Sequence, residues 1–275
     1  MKLICEIKQF CNVRPRATEF RNYLCVINDR RGESILKGKI SIGKQNFADM
    51  RENGYFLVDK TDFIKEWWDS GDDVTIITRP RRFGKTLNMS MLNCFFSNKY
   101  AGRGDLFEGL NIWENEEYRK IQGTYPVIFL SFAGVKADNM QDAKVQVKTQ
   151  IAELYDQNRY LLDGEILSEN EKNMFKDMTI YMDDALCCSS LNMLCRYLQR
   201  YYNKRALVLL DEYDTPMQEA YIHGYWDEFT SFLRCLFNST FKTNPYLERA
   251  VMTGITRVSK ESMFSDLNNL NVVTI

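Results

Sequence analysis

Two short clusters in this sequence have the residue types and spacing for chemistry on a phosphate. One is Arg79-Pro80-Arg81-Arg82-Phe83-Gly84-Lys85-Thr86-Leu87, and the other is Asp211-Glu212. Gly84 lets the backbone approach an anion closely. Lys85 supplies a cation for the β- and γ-phosphates of a nucleotide, and Thr86 a hydroxyl for Mg²⁺. Backbone N–H groups at the start of a helix add a field that favours anions. Residues 79–87 therefore read as a phosphate-binding loop running into a helix, with ATP as ligand and Mg²⁺ held by Thr86 and Asp211. The pattern G-x-x-x-x-G-K-[ST] is incomplete, because Arg79 stands where its first glycine belongs. Pro80 biases Arg79 toward extended backbone. Arg79, Arg81 and Arg82 add three cations beside the expected triphosphate. A G-K-T tripeptide alone is a weak signal. Its position between an apolar β-branched run and an amphipathic stretch is what strengthens it.

Asp211 and Glu212 close the apolar run Ala206–Leu210. An acid at the carboxyl end of a buried strand near a phosphate loop is placed to reach Mg²⁺, directly or through water. Successive strand side chains point to opposite sides, so Glu212 is expected to face another part of the crevice and polarise the attacking water. The competing reading is a helix start at Asp214 or Thr215 before Pro216, with the two acids merely favourable to the helix dipole. The apolar run before the acids makes them costly unless they face a cleft. A third segment, Met252–Arg257, ends another apolar run. Thr253 or Thr256 could touch the γ-phosphate or the attacking water. Arg257 could meet transition-state charge, in cis or across a subunit interface. An ordinary strand-to-helix turn with a solvated arginine is the alternative. The catalytic candidates are thus Lys85, Glu212, Thr253 and Arg257.

These residues need elements to hold them. Short apolar runs at Val74–Thr78, Pro126–Phe132, Ala206–Leu210 and Arg249–Thr253 read as buried strands, with Asn271–Ile275 as a fifth or its beginning. Tyr55–Val58 reads as a further short strand. Helical spacing marks Phe47–Asn53, Thr61–Asp69, Lys85–Ser97, Asn139–Asp156, Asp184–Tyr202 and Trp226–Phe241. Ser168 and Glu171 stand in capping-box spacing at the head of a shorter helix over Ser168–Asp177. Strands alternating with helices predict an α/β fold with a parallel sheet. Trp67-Trp68 reads as core packing, His223 as a helix C-terminal residue, and Tyr197–Tyr202 as the core and rim of one helix.

Composition narrows the class. The 275 residues carry 36 Lys+Arg against 37 Asp+Glu, with 45% hydrophobic residues, so the chain has material for a large core. No global basic field points to nucleic acid. Residues 1–39 are different, being basic and hard to read as elements. They are expected to form a loosely attached extension, or upstream sequence without its own fold; a basic arm touching nucleic acid or a partner is the other possibility. Asn28–Gly32 could close a hairpin there. Eight cysteines form no C-x-x-C, and one His is present, so zinc is not expected. The cysteines read as reduced, buried or bystander thiols of a cytoplasmic protein. No run of 18 apolar residues suggests a membrane span, and no signal peptide is apparent.

Val58–Thr61 (VDKT), Arg79–Thr86 (RPRRFGKT), Leu209–Pro216 (LLDEYDTP) and Gly254–Ser262 (GITRVSKES) occur in that order. Together they resemble the bacterial and archaeal AAA-ATPase-like family. The resemblance runs from about residue 40 to the end. It implies an ASCE-type P-loop NTPase domain, a three-layer sandwich around a parallel sheet, over 40–275. Many members add a C-terminal PD-(D/E)XK nuclease-like domain. An arginine-rich phosphate loop without its first glycine is typical of the family. The resemblance makes Gly84, Lys85 and Thr86 the Walker A core and Asp211-Glu212 the Walker B pair. It places Thr253, Thr256 and Arg257 in a sensor-like segment. Asp59, Lys60 and Thr61 match a motif without an assigned role. The helical lid and the nuclease-like domain are expected to be missing after Ile275, so nuclease activity is not expected. The implied function is an ATPase core that converts ATP to ADP and phosphate and drives a conformational change in a protein partner or in a missing domain, with self-association as a further possibility. A non-catalytic nucleotide-binding switch or assembly module is the alternative, and a nucleic-acid-binding fragment a third reading.

Overall fold

The computed structural model describes residues 25–29, 32–36, 39–40, 43–255 and 269–274. The apolar runs become strands: β3 (Val74–Thr78), β4 (Val127–Ser131), β5 (Ala206–Asp211), β6 (Leu247–Gly254) and β7 (Leu270–Thr274). They form one sheet in the order β4-β5-β6-β3-β7, with every neighbouring pair parallel. Parallel strands need crossovers, which helices supply, and those helices cover both faces.

β5 shows why three layers result. All six of its residues are buried. Ala206, Val208 and Leu210 face one core, while Leu207 and Leu209 face the other. The two-residue period of a strand forces that split, and each face then needs its own helices. On the first face lie α6 (Met140–Gln157), α8 (Asp184–Tyr202), α9 (Thr215–Ile222) and α10 (Trp226–Phe241), bringing Val147, Leu191, Met217 and Leu233. On the second lie α1 (Phe47–Glu52), α2 (Asp62–Ser70) and α3 (Lys85–Phe96), bringing Phe47, Ile64, Met89 and Phe95. Short α4 (Asn111–Glu114) and α5 (Glu116–Ile121) close that side, and α7 (Glu169–Lys176) packs Phe175 into the first core. Burying each large apolar side chain contributes roughly 1.5–3 kcal/mol, so the two cores together dominate the stability.

Local chemistry sets the element ends. The capping box at Ser168 and Glu171 forms, and Asn139 and Asp183 cap α6 and α8 with their side chains. Trp67 is buried, and Trp68 packs beside it under the Arg249 guanidinium, 4.8 Å from the ring. His223 ends α9. The expectation of a strand at Tyr55–Val58 fails. Tyr55 makes only an isolated bridge to Lys39, and residues 56–60 carry no regular structure. The chain is instead drawn into a turn, in which Asp59 accepts from the N–H and the hydroxyl of Thr61. In the basic N-terminal stretch, β1 (Cys25–Asp29) and β2 (Gly32–Leu36) pair antiparallel, with Asn28 opposite Glu33. That stretch therefore contains a two-stranded hairpin. Cys94, Cys187, Cys188 and Cys195 are buried free thiols, and Cys235 is exposed and free. Burial pushes the Cys94 thiol up to about 11 and Cys187 and Cys195 up to about 12, so all three stay protonated at neutral pH.

Sheet register brings the candidate residues together. Ser131 lies opposite Asp211, Leu210 opposite Met252, Ile77 opposite Thr253, and Thr78 opposite Gly254. Asp211, Thr253 and the loop leaving Thr78 therefore share the carboxyl edge of the sheet, where open α/β sheets bind ligands.

Candidate functional site

The loop leaves β3 by extending its ladder one residue further, with the Arg79 N–H donating to the Gly254 carbonyl at 3.1 Å. Pro80 cannot continue that ladder, and the chain turns. Arg82 sits at φ 70° and Gly84 at φ 77°, both left-handed. A left-handed Gly84 is what starts α3, whose first residue is Lys85. Arg81, Arg82 and Phe83 are exposed, with Phe83 46% exposed. Lys85 is buried, and its ammonium donates to the carbonyls of Arg79 (2.9 Å) and Pro80 (3.2 Å). A buried ammonium needs acceptors, and the loop's own carbonyls supply them. Thr86 is half-buried, and Leu87 packs toward the second core. The Arg79 Nη1 atom is buried without a hydrogen-bond partner among the described residues.

Across β6 stands the acid edge. Asp211, 1% exposed, accepts a short hydrogen bond from the Thr253 hydroxyl through Oδ1. Its Oδ2 is buried and has no partner among the described residues. The same Thr253 hydroxyl also accepts from the Glu212 N–H at 3.4 Å, and its carbonyl accepts from the Tyr213 N–H at 3.0 Å. β6 lies between the phosphate-loop strand and the acid strand, so Thr253 is held between them. It also lines, with Arg79 and Lys85, a cavity of about 560 Å³ beside the loop. Glu212 leaves the strand at φ 53° and accepts from the Thr215 hydroxyl at 3.1 Å. Its direction is set by a left-handed turn rather than by the pleat expected from the sequence. Helix α9 does begin at Thr215 with Pro216 in its first turn, so the acids precede a helix start as well as ending a strand.

Two features escaped the sequence reading. Asp214 is fully buried and accepts from Gln218 Nε2 and the Ile255 N–H, each at 2.9 Å. A Cβ on Gly254 would stand 2.7 Å from Asp214 Oδ1, so only glycine fits there. The signal was the third acid of Asp211-Glu212-Tyr213-Asp214 with a glycine directly after Thr253, but nothing in sequence says that these two meet. The other is Lys60, whose Nζ lies 4.0 Å from where a Gly84 Cβ would be. Thr256 and Arg257 lie outside the described residues. No hydrogen bond joins Thr86 to Asp211 among the described residues.

A five-stranded parallel sheet, a strand–loop–helix with Gly-Lys-Thr at its carboxyl edge and a buried acid on a strand two places away define a P-loop NTPase-like fold. The chain belongs to the AAA-ATPase-like family described as "Predicted AAA-ATPase", whose model matches residues 41–264. It is also similar to an "Uncharacterized protein in vnfD 5'region" of Azotobacter chroococcum mcd 1, with 29% identity over 239 residues, 86% of this chain and 41% of the relative. The chain thus spans less than half of that relative's length. No solved structure matches it. No helix among the described residues is long and apolar enough to cross a membrane.

Proposed function

We propose that the chain is an ATP-binding ATPase core that cleaves ATP to ADP and phosphate with Mg²⁺. The observation that carries this reading is a pair of buried groups of opposite charge, Arg79 Nη1 just past β3 and Asp211 Oδ2 at the end of β5, each without a hydrogen-bond partner among the described residues, on either side of β6. Leaving either unsatisfied costs several kcal/mol. An anion beside Arg79 and a cation beside Asp211 would satisfy both, which is what a magnesium nucleotide offers. The residues present therefore fit that ligand.

When bound, Mg²⁺ supplies charge neutralisation of the phosphate oxygens. The chain's own residues do the rest by position. Lys85 leaves its loop carbonyls to meet the β- and γ-phosphates, and the amides at the start of α3 bind the same oxygens. Thr86 and Asp211 hold the metal. Thr253 fixes the Asp211 carboxylate by donating to Oδ1. Glu212 orients the attacking water, and Arg257 stabilises transition-state charge. We take residues 40–275 as this ATPase domain and 1–39 as a basic extension. ATP turnover would drive a shape change in a protein partner or further domain, in the reducing cytoplasm that free buried thiols suit. A second reading, a nucleotide-binding switch without turnover, is favoured by Lys85 being engaged with its own loop: binding alone would then release the loop.

The test is ATP binding and hydrolysis by the purified chain with Mg²⁺, beside Lys85→Ala and Glu212→Gln. Lys85-dependent hydrolysis that Glu212→Gln stops supports the ATPase. Binding without turnover selects the switch. No nucleotide binding by the wild type sinks both.

A further inference from the structure

The Val58–Thr61 segment is the motif that the ATPase reading leaves without work. Its geometry divides into a clasp and a reach. Asp59 Oδ1 accepts from the Thr61 N–H (2.8 Å) and hydroxyl (2.7 Å), and its Oδ2 accepts from the Asn111 N–H (2.8 Å). The buried Thr61 hydroxyl in turn accepts from the Ile112 N–H at 3.1 Å. Two residues of the turn are thereby tied to the start of α4, 52 and 51 positions away in sequence. The residue between them, Lys60, is the one whose side chain is not used in the clasp. It is exposed and makes no ion pair among the described residues, although α2 carries Asp62 and Glu66 close by. Its Nζ lies over the backbone of Gly84, 4.0 Å from the Cβ position, and it lines the same cavity as Arg79, Phe83 and Lys85. Lys60 shares this cavity with two further cations, Arg79 and Lys85, and with the carboxylates of Glu66 and Asp72, and an entering anion is drawn to the three cations together.

We propose that Lys60 is a second lysine ligand of the phosphates, contacting a phosphate oxygen of the nucleotide that Lys85 and the loop bind. Asp59 and Thr61 are positioning residues that act through it. The inference rests on the nucleotide-binding reading and names a further residue of that site. Unlike Lys85, Lys60 has no intramolecular acceptor among the described residues to give up, so it is available to the incoming anion first.

The experiment is calorimetric titration of the full chain with MgADP, MgATP and pyrophosphate, using Lys60→Met, Lys60→Arg, Asp59→Asn and the Asp59→Asn/Lys60→Met double variant. Lys60→Met is expected to weaken all three ligands about tenfold, the size of one lost charge-assisted hydrogen bond. Lys60→Arg is expected to recover most of that loss. Because Lys60 is exposed, its melting temperature should not move. Asp59→Asn is expected to weaken binding about threefold in the wild type and not at all beside Lys60→Met, the non-additivity of a residue that acts through another. Wild-type affinity in Lys60→Met, with the wild type itself binding, overturns the role of Lys60 and leaves the nucleotide reading intact. Independent, additive losses overturn the positioning role of Asp59. No binding of any of the three ligands by the wild type overturns this proposal together with the nucleotide reading.

Discussion

The phosphate loop and the acid edge lie on either side of β6 and are held by different means. On the loop side, Arg81, Arg82 and Phe83 are exposed, two residues run left-handed, and Lys85 is bonded to the loop's own carbonyls. On the acid side, Asp211, Thr253 and Asp214 are buried, and their bonds cross from the end of β5 to β6 and from the residue before α9 to the residue after β6. The first arrangement can exchange its internal bonds for bonds to a ligand at little net cost, because a carbonyl acceptor is replaced by a phosphate acceptor. The second cannot rearrange without leaving buried polar groups bare. On the proposed nucleotide reading, the loop would adapt on binding while the acid edge would stay preorganised for charge that develops later.

Variants on the two sides can break that comparison. Lys85→Ala should weaken MgATP binding by about a hundredfold or more, since the loss is of a charged ligand at the phosphates; titration calorimetry reads it, and near-normal affinity would remove the loop from the site. Glu212→Gln should lower turnover by about a hundredfold while MgADP affinity stays within about twofold. A matching loss of affinity would mean that Glu212 holds the ligand rather than the water. Gly254→Ala drives a methyl to 2.7 Å from the Asp214 carboxylate and should cost about 2–3 kcal/mol in denaturant unfolding. A neutral result would show that the acid edge is softer than its bonds imply. The smallest effect belongs to the loop: Arg82→Gly relieves a left-handed residue and should stabilise the fold by about 0.5–1 kcal/mol. Destabilisation there would mean that the Arg82 side chain braces the loop.

Much of the scaffold is legible along the chain. Val74–Thr78 and Ala206–Leu210 are apolar without interruption, which is the mark of strands buried on both faces, and helices with clear stripes such as Trp226–Phe241 leave little choice of period. Tyr55–Val58 misleads for the opposite reason. Its residues suit a strand, but no sheet edge is offered to them, and the Asp59–Thr61 turn takes the backbone elsewhere. Strand pairing is non-local, so propensity cannot say which runs find partners. Glu212 shows the same limit at one residue: the pleat argument assumes extended backbone, and a left-handed φ of 53° ends the strand there.

What the sequence by itself determined is the set of local rules. Gly84 before Lys85 permits the turn into α3, the apolar run before Asp211 forces a carboxylate to the end of a buried strand, and Ser168 with Glu171 starts a helix. What only the tertiary structure decided is which of these ends meet. The order β4-β5-β6-β3-β7 puts Thr253 between the acid and the loop, seats Asp214 against Gly254 and brings Lys60 over Gly84. Each of these contacts joins residues far apart in the chain. They arise because burying both faces of the sheet at once selects one packing, and no local preference encodes it.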